Sequence, residues 1–244
     1  MFNWRNINNG NLFNIFYDWY MKEPKQVNYF DYYPKNIPQC EESWGNEELK
    51  IISELNNIVN GGVEGNYCFI HQTQINKDSI PIKERSWKRE YLREAVKGCK
   101  YGLEIGFNAG HSSAIILSAN SDIVLTSIDI CEHPYTVPCA KFLRDHYGNR
   151  FNFYGASSQK ILKGKKPQMP LDFIHVDGGH GLGNFYFDVD WSLKYLPKGG
   201  RLLIDDAYLP DYVKYLSYKV EQEEIKQIQP GRPSSGENIL FERL

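Results

Sequence analysis

One run, YGLEIGFNAGHSS at residues 101–113, constrains the fold of this chain most tightly. It reads as a short buried strand, a glycine loop and the start of a helix. A strand that enters a helix through glycines leaves backbone N–H groups at an open sheet edge, where a nucleotide-like ligand sits. The spacing selects among such ligands. A dinucleotide fingerprint sets its first two glycines two apart, whereas Glu104-x-Gly106-x-x-x-Gly110 sets them four apart with an acid at the strand tip. That loop does not suit a pyrophosphate.

The chain after this run alternates regularly between short apolar stretches bounded by turn residues and stretches of helical periodicity. Strands are predicted at 101–106, 123–129, 151–154, 171–177 and 200–205, and helices at 109–119, 136–147, 157–163, 182–196 and 211–224. Such alternation specifies an α/β fold with a parallel sheet wrapped by helices on both faces. The helix ending at Leu196 meets Pro197-Lys198-Gly199-Gly200, a proline-glycine stop. After Glu224, IKQIQ and NILFERL flank PGRPSSG and predict a terminal antiparallel hairpin.

Residues 1–85 differ in character, being rich in Asn, Tyr, Phe and Pro. One helix is predicted from Asn46 to Asn60, with Leu49, Ile52, Leu55, Ile58 and Val59 on one face. The aromatics before it, including Phe16, Tyr17, Trp19, Tyr20, Tyr29 and Phe30, suit a substrate lid, an oligomer contact or packing on the core. A second helix, 86–97, points Trp87, Tyr91, Leu92 and Val96 inward. The chain thus divides into an N-terminal extension, 1–85, and a domain at 86–244, with no internal repeat.

At 244 residues the chain holds one enzyme-sized core. Its 28 basic and 30 acidic residues give no general field for nucleic acid. Five cysteines, odd in number and without a C-x-x-C pair, argue against a disulfide framework or zinc knuckle and fit a reducing cytosol. No apolar run reaches the roughly 20 residues of a membrane helix, and the N-terminus lacks a signal pattern. A soluble cytoplasmic protein, without membrane or nucleic-acid partners, is expected.

Ligands of open parallel sheets bind beyond the C-terminal strand ends. The first strand leads through Glu104 and Gly106 to Asn108, Gly110, His111 and Ser112; the second ends at Asp129, whose carboxylate can accept from both ribose hydroxyls of a nucleoside. The third runs into Gly155-Ala156-Ser157, where small residues admit a flat ring and Ser157 also suits a helix N-cap. The fourth and fifth end in IHVDGGH and LLIDDAY, bringing Asp177, His180, Asp205 and Asp206 to the same edge. Neighbouring strands lie about 4.8 Å apart, and two carboxylates about 4 Å apart repel by roughly 4 kcal/mol at an effective dielectric near 20. A divalent cation reverses that penalty, and an all-oxygen ligand set favours Mg²⁺ or another hard ion. Consecutive strand residues face opposite ways, so Asp205 and Asp206 share an ion only if the chain turns between them. His175 reads as a core histidine, and His71, His133 and His146 have no constellation around them.

The glycine loop with its acid resembles the first motif of the class I S-adenosylmethionine (SAM) dependent methyltransferases. The Gly155-Ala156-Ser157 triplet resembles the catechol O-methyltransferase group, and the strand-end acids resemble the cation-dependent small-molecule O-methyltransferases, with Asp205-Asp206 closer to the macrocin, sugar-modifying group. Over roughly 85–244 the resemblance implies a Rossmann-like seven-stranded sheet of order 3-2-1-4-5-7-6. It implies SAM held by Glu104, Gly106, Asn108, Gly110, His111, Ser112, Asp129, Ala156 and Ser157. It also implies a divalent cation on Asp177, Asp205 and Asp206, His180 as general base, and a small hydroxylated acceptor such as a sugar. Two other readings share the fold: a non-catalytic assembly partner, and a hydroxylase-like relative. The N-terminal third departs from the pattern, carrying no familiar substrate motif.

Overall fold

The computed structural model describes residues 42, 44–179, 181–228 and 238–244. The aromatic run before residue 42, Cys40 and His180 lie outside them. Helix α1 (Asn46–Val59) precedes a hairpin of β1 (Gly61–Val63) and β2 (Thr73–Ile75), and α2 (Ser86–Ala95) leads into the main sheet. There β3 (Tyr101–Ile105), α3 (His111–Ala119), β4 (Val124–Asp129), α4 (Thr136–Tyr147), β5 (Phe151–Gly155) and α5 (Ser158–Leu162) form the first half. The second half is β6 (Phe173–Val176), α6 (Leu182–Tyr195), β7 (Arg201–Ile204), α7 (Pro210–Glu221), β8 (Ile225–Ile228) and β9 (Ile239–Arg243).

The seven-stranded sheet runs β5-β4-β3-β6-β7-β9-β8. Counted from the glycine-loop strand this is the expected 3-2-1-4-5-7-6. Strands β3 to β7 pair in parallel, and β9 closes antiparallel between β7 and β8, which forms the expected terminal hairpin. The central parallel strands β3, β6 and β7 are buried on both faces because helices cover both. Leu125, Phe173 and Leu203 face one way, into a cluster with Ile115, Ile116 and Leu143; Leu103, Ile174 and Leu202 face the other, against Phe185, Val189 and Leu216.

The short β1-β2 hairpin escaped the sequence reading, since two three-residue strands carry no legible period. Residues 42–85 are also more than an appendage. Ile51, Ile52 and Leu55 of α1, together with Val63, Tyr67, Phe69 and Ile75, belong to the same buried cluster as α3 and α4. Cys68, Cys99, Cys131 and Cys139 are free thiols. Among the described residues no helix is long and apolar enough to cross a membrane.

Candidate active site

A cavity of about 520 Å³ opens beyond the C-terminal ends of β3, β4, β6 and β7, within the range of small-molecule sites. One wall is the glycine loop. Gly106 has φ of 98°, and a Cβ there would sit 1.8 Å from the carbonyl oxygen of Asp177. Only glycine therefore lets the loop lie against the end of β6. Asn108 follows at a left-handed φ of 53°. The Asp129 carboxylate organises this loop: Oδ2 accepts from the N–H of Phe107 at 2.9 Å and of Asn108 at 2.7 Å, and Oδ1 from the N–H of Cys131 at 2.7 Å. A carboxylate has about four acceptor positions, so three are spent on backbone and the remainder faces the cavity. Ala156 and Ser157 continue this wall, and Ser157 also N-caps α5 by accepting from the N–H of Lys160.

The opposite wall is acidic. Asp177 follows β6, and Asp205 and Asp206 follow β7. The turn on which a shared site depends is present: Asp206 has φ of 51°, and one ligand oxygen from each of the three acids lies within 4.8 Å of the others. Asp205 is only 6% exposed. Its Oδ2 accepts from the ammonium of Lys88 at 2.7 Å, while its Oδ1 has no donor among the described residues. Asp177 and Asp205 are close enough for the charge of each to act on the other. Burial and the neighbouring Asp205 charge push the Asp177 carboxyl well above its usual range. Burial would raise Asp205 too, but the Lys88 charge and the hydrogen bonds with Asp177 and Lys88 outweigh it and hold Asp205 low. Three hard-oxygen ligands and an orphaned Oδ1 fit a divalent cation.

Several residues expected at the cofactor do not line this cavity. Glu104 projects onto the sheet face, not past the strand tip, and is fully buried. There it accepts from the hydroxyls of Ser113 and Ser127 and faces His175 Nδ1 at 3.4 Å. Asn238 Nδ2 donates to the Tyr67 hydroxyl at 2.6 Å, leaving that hydroxyl to donate to His175 Nε2 at 3.0 Å. This network ties the glycine-loop strand to the N-terminal region and makes His175 the core histidine expected. Gly110, at φ of 79°, is packed against the Phe107 ring. His111 is buried beside Phe69, its Nε2 bonded to Asn56 Oδ1 at 2.9 Å; burial pushes it down to about 3, so it is neutral. Ser112 is buried as well. These residues shape the loop from behind.

The sequence reading passed over other wall residues. His71 and His133 both line the cavity, with His133 Nε2 2.8 Å from Glu64 Oε2, so their dismissal as isolated histidines is corrected; His146 instead pairs with Glu47. Lys88 and Asp188 also line it. Lys88 had a signal: it precedes Tyr91, Leu92 and Ala95 by three, four and seven residues, an inward helical position where a lysine is out of place. Asp188, on α6, had a weaker one, standing beside the apolar Val189 and two turns before Tyr195.

Residues 103–207 match the family model described as a methyltransferase domain. No curated protein matches the chain. Among solved structures, a protein assigned as an O-methyltransferase from Klebsiella pneumoniae superposes with a TM-score of 0.55 at 14% identity, covering 82% of this chain and 91% of that one. The O-methyltransferase TomG from Streptomyces achromogenes, in complex with SAM, gives 0.48 at 17% identity, covering 65% of this chain and 80% of its own. CalS11, a TDP-rhamnose 3'-O-methyltransferase, gives 0.49 at 14%, covering 64% and 76%. The matched segment carries the glycine loop and the parallel strands of a sheet in the expected order, so residues 103–207 are similar to a methyltransferase domain.

Proposed function

We propose that the protein is a SAM-dependent O-methyltransferase that uses a divalent cation and acts on a hydroxyl of a small molecule, such as a sugar. The observation that carries this reading is the direct contact between the two walls, where the Gly106 backbone lies against the Asp177 carbonyl. A ligand held by the glycine loop is thereby adjacent to the acids. SAM supplies an electrophilic methyl on its sulfonium, and a bound divalent cation supplies Lewis acidity toward an acceptor oxygen.

The chain's own residues have three tasks. The remaining acceptor capacity of Asp129, and Ala156 with Ser157, hold and orient the nucleoside against the glycine loop. Asp177, Asp205 and Asp206 hold the cation and so position the acceptor, since an in-line displacement depends on alignment. His180, three positions beyond Asp177 and assigned by that placement, accepts the hydroxyl proton.

Calorimetric titration with S-adenosylhomocysteine, in Mg²⁺ and in EDTA, tests the cofactor, and a panel of sugars and phenols tests the acceptor. Binding in both conditions, with methyl transfer only when metal is present, is expected. Absence of binding removes the enzyme reading, and full turnover in EDTA removes the cation. His180→Ala should lower turnover by roughly 10² to 10⁴ with unchanged affinity for S-adenosylhomocysteine; lost affinity would take His180 out of the proton-transfer role.

A further inference from the structure

Lys88 does not behave as a surface lysine. It sits on the inward face of α2, 3% exposed, with its ammonium 2.7 Å from Asp205 Oδ2 and 4.6 Å from the centre of the buried Tyr67 ring. It also forms part of the cavity wall. A charge buried this deeply persists only where an opposite charge and good hydrogen bonding compensate it, and Asp205 provides both. The compensation is one-sided. Lys88 engages Oδ2, whereas Oδ1 of the same carboxylate, equally buried, has no donor among the described residues.

We propose that Lys88 is the built-in cation of the acidic cluster, and that it competes with a divalent metal ion for Asp205, keeping the metal exchangeable. The inference rests on the cation part of the proposed function. With Lys88 in place, one oxygen of Asp205 is taken, and a fixed positive charge stands on the carboxylate that must also bind the metal. Removing that charge frees the second oxygen and removes the repulsion, so affinity for a hard divalent ion should rise. Arginine at this position preserves the charge and should preserve the weak affinity. A purely structural Lys88 would alter stability in its variants without raising metal affinity.

The test uses Mn²⁺ as the probe, with its free concentration read by electron paramagnetic resonance and the binding heat by calorimetry, on the full chain and on Lys88→Met and Lys88→Arg. Methionine keeps an unbranched side chain one atom shorter and a soft contact with the Tyr67 ring. Retained binding of S-adenosylhomocysteine shows that each variant is folded; if Lys88→Met fails that check, Lys88→Gln carries the same expectation. The neutral variant should bind Mn²⁺ at least about tenfold more tightly than the parent, and Lys88→Arg should match the parent. Equal or weaker affinity in the folded neutral variant overturns the proposal while leaving the cation reading intact. Binding by the neutral variant alone supports Lys88 as the cluster's cation and overturns metal use by the parent protein. No binding by either overturns both.

Discussion

The two walls of the cavity solve the problem of buried charge in opposite ways. On the glycine-loop side, Asp129 is satisfied by three backbone N–H groups within its own strand-loop unit and that of β3. Charge and loop shape define each other there, and no distant side chain is needed. On the acidic side three carboxylates are pooled, and the cation paired with one of them, Asp205, comes from Lys88, 117 residues earlier in sequence. The first wall is a rigid receptor set by backbone geometry. The second holds its charges only in part compensated, a state that favours binding a cation over maximal stability.

The largest expected effect comes from breaking the contact that joins the walls. Gly106→Ala places a methyl 1.8 Å from the Asp177 carbonyl oxygen at φ of 98°, so the backbone must move. Left-handed strain and overpacking together should cost about 4 kcal/mol in urea unfolding. Affinity for S-adenosylhomocysteine should fall by at least about 10²-fold as the loop leaves its position. A variant with near-parental stability and affinity would show that the loop tolerates displacement and that the contact between the walls is incidental.

This difference also explains what was legible in the sequence. The succession of strands and helices followed from alternation, because hydrophobic period and turn residues are local signals, whereas the order of the strands in the sheet came only with the family resemblance. Asp129, Asp177, Asp205 and Asp206 were legible because strand ends converge by topology. Whether Asp205 and Asp206 could share one ion was not legible, since it depended on the φ of 51° at Asp206. Glu104 misled because its position near the tip suggested a ligand contact, whereas the pleat directs it onto the sheet face beneath α3, toward Ser113 and Ser127. His71 and Lys88 reach the cavity from the region before residue 101, and His133 from the loop between β4 and α4; no local pattern predicts which long-range contact such a segment makes.

Asp205→Ala separates the walls from the acidic side. It strips Lys88 of its hydrogen-bonded partner while leaving the glycine loop untouched. Unpaired buried charges cost about 3 to 5 kcal/mol; the lower end, about 3, is expected here because Asp177 remains close enough to attract the ammonium. Urea unfolding should show this loss, with S-adenosylhomocysteine affinity changed by less than about threefold. A fall in cofactor affinity as large as that of Gly106→Ala would mean the two walls act as one unit.

Asp188 gives the smallest effect and the sharpest test of whether the acidic side sacrifices stability. It is 2% exposed, and its Oδ1 has no donor among the described residues. Burial pushes its carboxyl up to about 6 against a hydrogen bond from Ser158. A folded-state value above the unfolded one, near 3.9, means that the native state binds the proton more tightly. Stability contributed by this group is therefore full at low pH and falls as the pH rises between about 4 and 6. Above that window the ionised, buried carboxylate costs at most about 3 kcal/mol. Asp188→Asn keeps an acceptor for Ser158 and cannot ionise, so it should stabilise the protein by about 1 to 2 kcal/mol at pH 8 and by nearly nothing at pH 4. Unfolding curves of parent and variant across this range isolate Asp188 from the other acids by difference. A variant less stable than the parent at pH 8 would show that the carboxylate is compensated after all, and the contrast between the walls would shrink to Lys88 and Asp205.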